Sequence, residues 1–159
     1  MNEKGKKPSD SSVESRYLVM PHHANPYGTA FGGAIVAWMD MTASMAAQRH
    51  CGKEAVTAGI DAIDFRQPIY VGDQVVLKAS VNYVGRTSME IGVQVIKENP
   101  YNDETVLATT AHLTFVALDK NKKPTPIPPL APETEDEKRW YENARLRVQA
   151  RKELLKKIK

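Results

Sequence analysis

The chain has 159 residues, 42% hydrophobic and 26% charged, the balance of one globular domain with tails. Its net charge of +3 is uneven: residues 138–159 hold nine Lys and Arg against two Glu, residues 133–137 are ETEDE, and residues 1–132 carry 13 charges of each sign. A neutral body argues against a nucleic-acid-binding surface and leaves the basic tail to meet any anion.

Cys51 is the single cysteine, so neither an intrachain disulfide nor a cysteine metal site can form, which fits a reducing compartment. Residues 1–12 are polar, without the apolar core of a signal peptide, and no segment reaches the ~20 apolar residues of a membrane helix. These features predict a soluble, cytoplasmic protein.

In chain order, residues 1–14 are Lys, Ser, Gly and Pro with little to bury, and are expected to be disordered. Tyr17 to Met20 is a short candidate strand. Residues 21–33, PHHANPYGTAFGG, are a loop by their turn formers. Residues 34–50 lack Pro and Gly and are rich in Ala and Met, which predicts a helix, with Gly52 as its C-terminal cap. That helix is apolar almost all round, so it is expected at the centre of the fold.

Four strands are expected next, over 56–66, 74–84, 88–97 and 105–118, separated by turns at 71–73, 84–86 and 99–103. Val75, Leu77, Ala79, Val81 and Tyr83 alternate against Lys78, Ser80 and Asn82, as do Met89, Ile91, Val93 and Val95 with their neighbours. Residues 124–132 hold five prolines and read as a stiff linker closing the domain. A charged helix over 133–159 follows, its acidic start and basic finish suited to the helix dipole. The domain proper is thus 15–123. One apolar helix against an antiparallel sheet is an α+β layering, with the sheet wrapped round the helix in the hotdog manner. So small a sheet is expected to enlarge by dimerisation.

Asp40 is the anomaly of the sequence, the one charge between Ala34 and Ala47. Asp is a poor interior helix former, and burying a carboxylate without a partner is costly. Burial favours the protonated form of a carboxyl group, and one poised toward neutral pH suits general-base work. Asp40 is therefore the leading catalytic candidate, against the alternatives that it faces water or pairs with Arg or a backbone donor.

Gly28, Gly32 and Gly33 crowd the start of the helix. The free N–H groups of Gly32 and Gly33, with the positive end of the dipole, suit a developing oxyanion; the competing reading is that these glycines only permit a tight turn. Asp40 lies seven residues beyond Gly33, ~10.5 Å along the axis. Asn25 carries an amide able to orient water or a carbonyl.

The segment N-P-Y-G-T-A-F-G-G-A-I-V-A-W-M-D-M-T-A, residues 25–43, resembles the acyl-CoA hydrolase group of hotdog thioesterases, which includes brain-type acyl-CoA hydrolase and bacterial single-domain relatives. D-F-R-Q-P-I-Y-V-G-D at 64–73 and V-G-R-T-S at 84–88 are similar to it too, so the resemblance spans about residues 17–120. Tyr27 departs from the pattern, where a smaller or polar residue is expected.

The resemblance implies acyl-CoA thioester hydrolysis in fatty acid metabolism, with Asp40 as the catalytic carboxylate. It implies that Asn25 faces the Asp of a second subunit, and that Gly33 with Gly32 polarises the thioester carbonyl. Arg86, Thr87 and Ser88 are implied as a turn contacting coenzyme A, where a guanidinium suits phosphate. The implied assembly is a homo-oligomer, a trimer of hotdog dimers. No cofactor is expected, coenzyme A being part of the substrate; no metal, nucleic acid or membrane insertion is expected either.

Two routes fit Asp40, activation of water or direct attack to form a covalent intermediate. Two other functions stay open: a non-catalytic acyl-CoA-sensing module, and a hotdog dehydratase using a His and Asp pair. His22 and His23 are the nearby histidines and read as ordinary loop residues, having no metal-spaced partner. His112 lies mid-strand. Cys51, at a helix end, reads as packing. Asp61 and Asp64, three apart, should face opposite sides of a strand, with Arg66 near one of them.

Overall fold

The structure, a computed structural model, describes residues 5–159. Strands β1 (Val13–Leu18), β2 (Glu54–Phe65), β3 (Gln74–Val84), β4 (Ser88–Asn99) and β5 (Glu104–Leu118) form one antiparallel sheet in the order β1-β3-β4-β5-β2. The α-helices are α1 (Pro8–Ser11), α2 (Gly32–Cys51) and α3 (Glu135–Ile158). The strand bounds of β2 to β5 fall within two residues of those expected.

The sheet is amphipathic by alternation. Leu77, Ala79 and Val81, then Ile91, Val93 and Val95, then Ala111, Leu113 and Phe115 are buried in one core with Ile35, Trp38, Met39, Ala43, Ala46 and Ala47 of α2. The small alanines on this side of the helix let it lie close to the sheet. Gly52 caps α2 in the left-handed conformation, φ 67°, its N–H donating to Gln48 O. Contrary to expectation, α2 is not enclosed all round: Ala37, Met41 and Met45 remain exposed, as does Phe31 just before it. The apolar sequence there serves two faces, only one of which the chain's own sheet covers.

Residues 5–14 are not disordered as expected; residues 1–4 lie outside the described residues. Lys6 pairs with Leu130 in a parallel bridge, and its ammonium donates to the carbonyls of Arg49 and His50 at 3.2 and 2.8 Å, a cation against the negative end of α2. β1 begins at Val13, earlier than the Tyr17 expected, because Val13, Ser15 and Tyr17 face inward while Glu14 and Arg16 face water. The Pro-rich stretch is likewise docked rather than free: Thr125 and Ile127 donate their amides to Ala117 O and Arg86 O, and Ile127 is buried.

α3 lies across the opposite face of the sheet. Thr134 and Glu137 cap its start reciprocally. Ala144 is fully buried, and Tyr141 meets Tyr83 with ring centroids 5.2 Å apart. Glu90, between core residues Met89 and Ile91, points away from α2 and is only 2% exposed. Arg147 chelates it, Nη2 to Oε2 at 2.7 Å and Nε to Oε1 at 3.3 Å. Arg151 reaches Asp61 at 3.2 Å and Thr114 Oγ1 at 2.9 Å. Removing Glu90 would strand Arg147 at this interface, so Glu90→Ala is expected to destabilise by about 2 kcal/mol or more in urea unfolding.

His50 is fully buried at the end of α2; Nε2 lies 2.8 Å from Pro128 O, and Nδ1 has no partner among the described residues. Burial lowers its proton affinity, aided by Lys6 and opposed by the Pro128 carbonyl and Asp10. A His with a depressed folded pKa contributes stability that is fully present above its unfolded value of 6.5 and is lost as pH falls through the folded value. Tm is therefore expected to drop on acidification below about 6.5, and His50→Gln should flatten that slope in thermal scans at stepped pH.

Candidate active site

Asp40 sits on α2 at the rim between the helix's bare face and the edge strand β2. It is half-buried, and its Oδ1 accepts a 2.6 Å hydrogen bond from Thr57 Oγ1. Among the described residues no cation lies within ion-pair distance of it and no donor reaches Oδ2. One oxygen is thus oriented while the other is available to a water or substrate. β2 is irregular here, with register shifts at Thr57/Gly59 and Asp61/Asp64 and Ala62 at φ 51°. Met41, the next residue on α2, is half-exposed.

The start of α2 has no side-chain cap. The first loop-closing bonds run from the Ala34 and Ile35 amides to Phe31 O, leaving the Gly32 and Gly33 N–H groups without an acceptor among the described residues. Two free donors at the head of a 20-residue helix form an anion-favouring corner. Gly33 sits in close approach to Phe31: a Cβ there would stand 2.5 Å from the ring, which would have to move.

Asn25 does not reach Asp40 within the chain; no hydrogen bond joins them. Its Oδ1 accepts from the Tyr27 and Thr29 amides, and Nδ2 donates to Thr29 Oγ1 at 2.7 Å. This Asx turn, with Gly28 at φ 82°, shapes the loop before α2 and leaves one Nδ2 hydrogen unused. His23 is committed too: Nδ1 accepts the Met20 amide at 3.0 Å, and its ring meets Trp38 edge-on at 4.8 Å. Burial beside His22 lowers its proton affinity.

Arg86, Thr87 and Ser88 form the β3–β4 turn, closed by Gly85 N–H to Ser88 O at 2.8 Å. Thr57, Phe115 and Met89 are in register across β2, β5 and β4. The turn therefore lies two strand spacings, roughly 10 Å, from Thr57. Arg86 is exposed and has no carboxylate partner among the described residues. Ser88 faces the α3 side, lining a cavity of about 220 Å³ with Tyr83, Thr114, Arg151, Lys152 and Leu155.

Asp64 pairs with Arg66 at 2.9 Å and Asp61 with Arg151, so neither joins the Asp40 site. Cys51 is buried, its thiol against Lys53 O. His112 stands 4.0 Å from Glu90, on the sheet face away from α2; burial and Arg147 lower its proton affinity against the pull of Glu90 and Asp61. Thr57 escaped sequence reasoning, because a threonine in a strand is ordinary; its signal is the contact with Asp40.

Residues 27–103 match the thioesterase superfamily. An uncharacterized acyl-CoA thioester hydrolase of Bacillus subtilis (strain 168), YkhA, is 45% identical over 143 residues, 90% of this chain and 83% of that protein. An acyl-CoA hydrolase from Staphylococcus aureus, solved in complex with butyryl coenzyme A, coenzyme A and coenzyme A disulfide, superposes with TM-score 0.91 at 38% identity over 96% of this chain and 93% of that one. An apo-hexameric acyl-CoA thioesterase superposes at TM-score 0.92 with 39% identity, over 96% and 97%.

The S. aureus enzyme was also solved with an asparagine, an aspartate and a threonine each replaced by alanine, the second fifteen positions after the first and the third seventeen after the second. Asn25, Asp40 and Thr57 stand at that same spacing. With relatives this similar along most of its length, the chain belongs to the thioesterase superfamily.

Proposed function

We propose that the chain hydrolyses acyl-CoA thioesters to a carboxylic acid and free coenzyme A, with Asp40 as general base. The observation that carries this is the Asp40–Thr57 hydrogen bond at an open rim, on residues spaced as in the S. aureus hydrolase. Thr57 fixes Oδ1, so Oδ2 faces an incoming water and takes its proton as the hydroxide attacks the thioester carbonyl carbon. The carbonyl oxygen becomes an anion against the Gly32 and Gly33 N–H groups. When the tetrahedral intermediate collapses the C–S bond breaks, and coenzyme A departs as thiolate, a leaving group that needs no strong acid. No cofactor enters these steps.

In this reading the site is completed by a second copy. The edge strand β2 and the bare Phe31, Met41, Met45 and Phe65 offer a surface for it. Asn25 of that copy supplies its spare amide hydrogen to water or carbonyl. A homo-oligomer built from such dimers, a hexamer as in one structural relative, follows. Among the described residues no helix is long and apolar enough to cross a membrane, and the lone cysteine is buried and free; we place the protein in the cytoplasm. Arg86, Thr87 and Ser88 hold the nucleotide end of the substrate. The dehydratase reading is disfavoured at His23, whose ring is held by Met20 and Trp38.

Colorimetric release of free thiol across acetyl- to palmitoyl-CoA tests the activity. Turnover on part of the panel is expected; binding without thiol release would favour the sensing module instead. Thr57→Val is expected to lower kcat about 10-fold by releasing the Asp40 carboxylate, with KM little changed.

A further inference from the structure

The basic character of α3 divides in two. Lys138, Arg139, Arg145, Arg147 and Arg151 each meet a carboxylate: Glu135, Asp136, Glu142, Glu90 and Asp61. Lys152, Lys156, Lys157 and Lys159 have no carboxylate within ion-pair distance among the described residues. The unneutralised charge is therefore collected over the last turns of the helix, although the structural need for cations lies at Glu90 and Asp61 and is already met.

Lys152 is placed by this geometry. It lines the same cavity as Ser88, Tyr83 and Leu155, directly behind the β3–β4 turn. Arg86, the cation of that turn, is also without a carboxylate partner among the described residues. An uncompensated lysine on the cavity wall and an uncompensated arginine two residues before its serine thus lie at one turn, a pairing suited to a multivalent anion. Buried Glu90 is no competitor for Lys152, since Arg147 occupies both its oxygens.

We propose that α3 is part of the substrate site: Lys152, with Arg86, binds a phosphate group at the nucleotide end of coenzyme A, and the lysines beyond it raise local substrate concentration. The proposal rests on the assignment of Arg86 to Ser88 to coenzyme A. It explains why a charged helix outside the hotdog sheet is clamped so firmly by Arg147 and Arg151: the clamp holds Lys152 in register with the turn.

The test is KM for acyl-CoA and for the matching S-acyl-pantetheine, which carries no phosphate, in the full-length oligomer bearing Lys152→Ala, Arg86→Ala or neither. Lys152→Ala is expected to raise KM for acyl-CoA about 5- to 10-fold with kcat retained, to leave KM for the pantetheine thioester unchanged, and to lose most of its effect at high salt. Arg86→Ala should behave likewise. If Arg86→Ala raises KM and Lys152→Ala does not, the role of α3 is overturned while the turn assignment stands. If neither alters KM for acyl-CoA, the turn assignment itself fails. If Lys152→Ala raises KM equally for both substrates, it acts on packing and the proposal is wrong. Lys152→Arg should restore near-normal KM.

Discussion

Replacing Asp40 with Asn is expected to lower kcat about 10³-fold, the range lost when a positioned general base is removed. The substitution is isosteric. Thr57 Oγ1 can still donate to the amide oxygen that replaces Oδ1, so the one bond Asp40 makes inside the protein survives. What disappears is the proton acceptor at the second oxygen, which becomes a donor and cannot deprotonate water. The helix loses nothing, since Asn and Asp are equally poor interior helix formers, so Tm should not move. Free-thiol release at saturating acyl-CoA, alongside a thermal scan, checks both halves. Near-normal turnover would remove Asp40 from catalysis.

The second large effect is expected at Gly33. A Cβ added there stands 2.5 Å from Phe31 Cε2 and 3.2 Å from Cδ2, so the ring must swing, and with it the approach to the free Gly32 and Gly33 amides. Gly33→Ala keeps both N–H groups, so its cost is that of a misplaced ring beside them, and kcat should fall about 10²-fold. Gly32→Ala is the contrast: its Cβ meets only Phe65 Cζ at 3.5 Å, an ordinary contact, and its effect should be several-fold smaller. Alanine favours helix over glycine by about 1 kcal/mol, so neither variant should be less stable. A loss of activity without a loss of Tm identifies the amides as functional rather than structural.

The legibility of this protein in its sequence follows from the kind of force involved. Strands β3, β4 and β5 announce themselves because one face of each is solidly apolar, and α2 because residues 34–51 run without Pro or Gly before Gly52. Asp40 stands out against that background, and the glycines ahead of it mark the head of the helix.

The N-terminal arm was illegible because backbone pairing with the Pro-rich stretch holds it, through Lys6 and Leu130, rather than any apolar pattern. The bare face of α2 was illegible because an apolar residue reads the same whether its own sheet or another copy covers it. Glu90 alternates with Met89 and Ile91 like any outward strand residue; only the path of α3 makes it a buried anchor. Thr57 and Asp40 are brought together by the fold from adjacent elements, a contact that no spacing rule contains.

The most direct test of the whole account is subunit complementation. Asp40→Asn and Asn25→Ala chains, each inactive alone, are mixed, dissociated and reassembled, and thiol release is measured. If each site takes Asp40 from one chain and Asn25 from its partner, a hybrid dimer keeps one intact site, and reassembly should restore about a quarter of wild-type activity, half the sites in the half of dimers that are hybrid. Activity that stays at the level of the separate variants would place both residues' work within single chains and contradict the shared site.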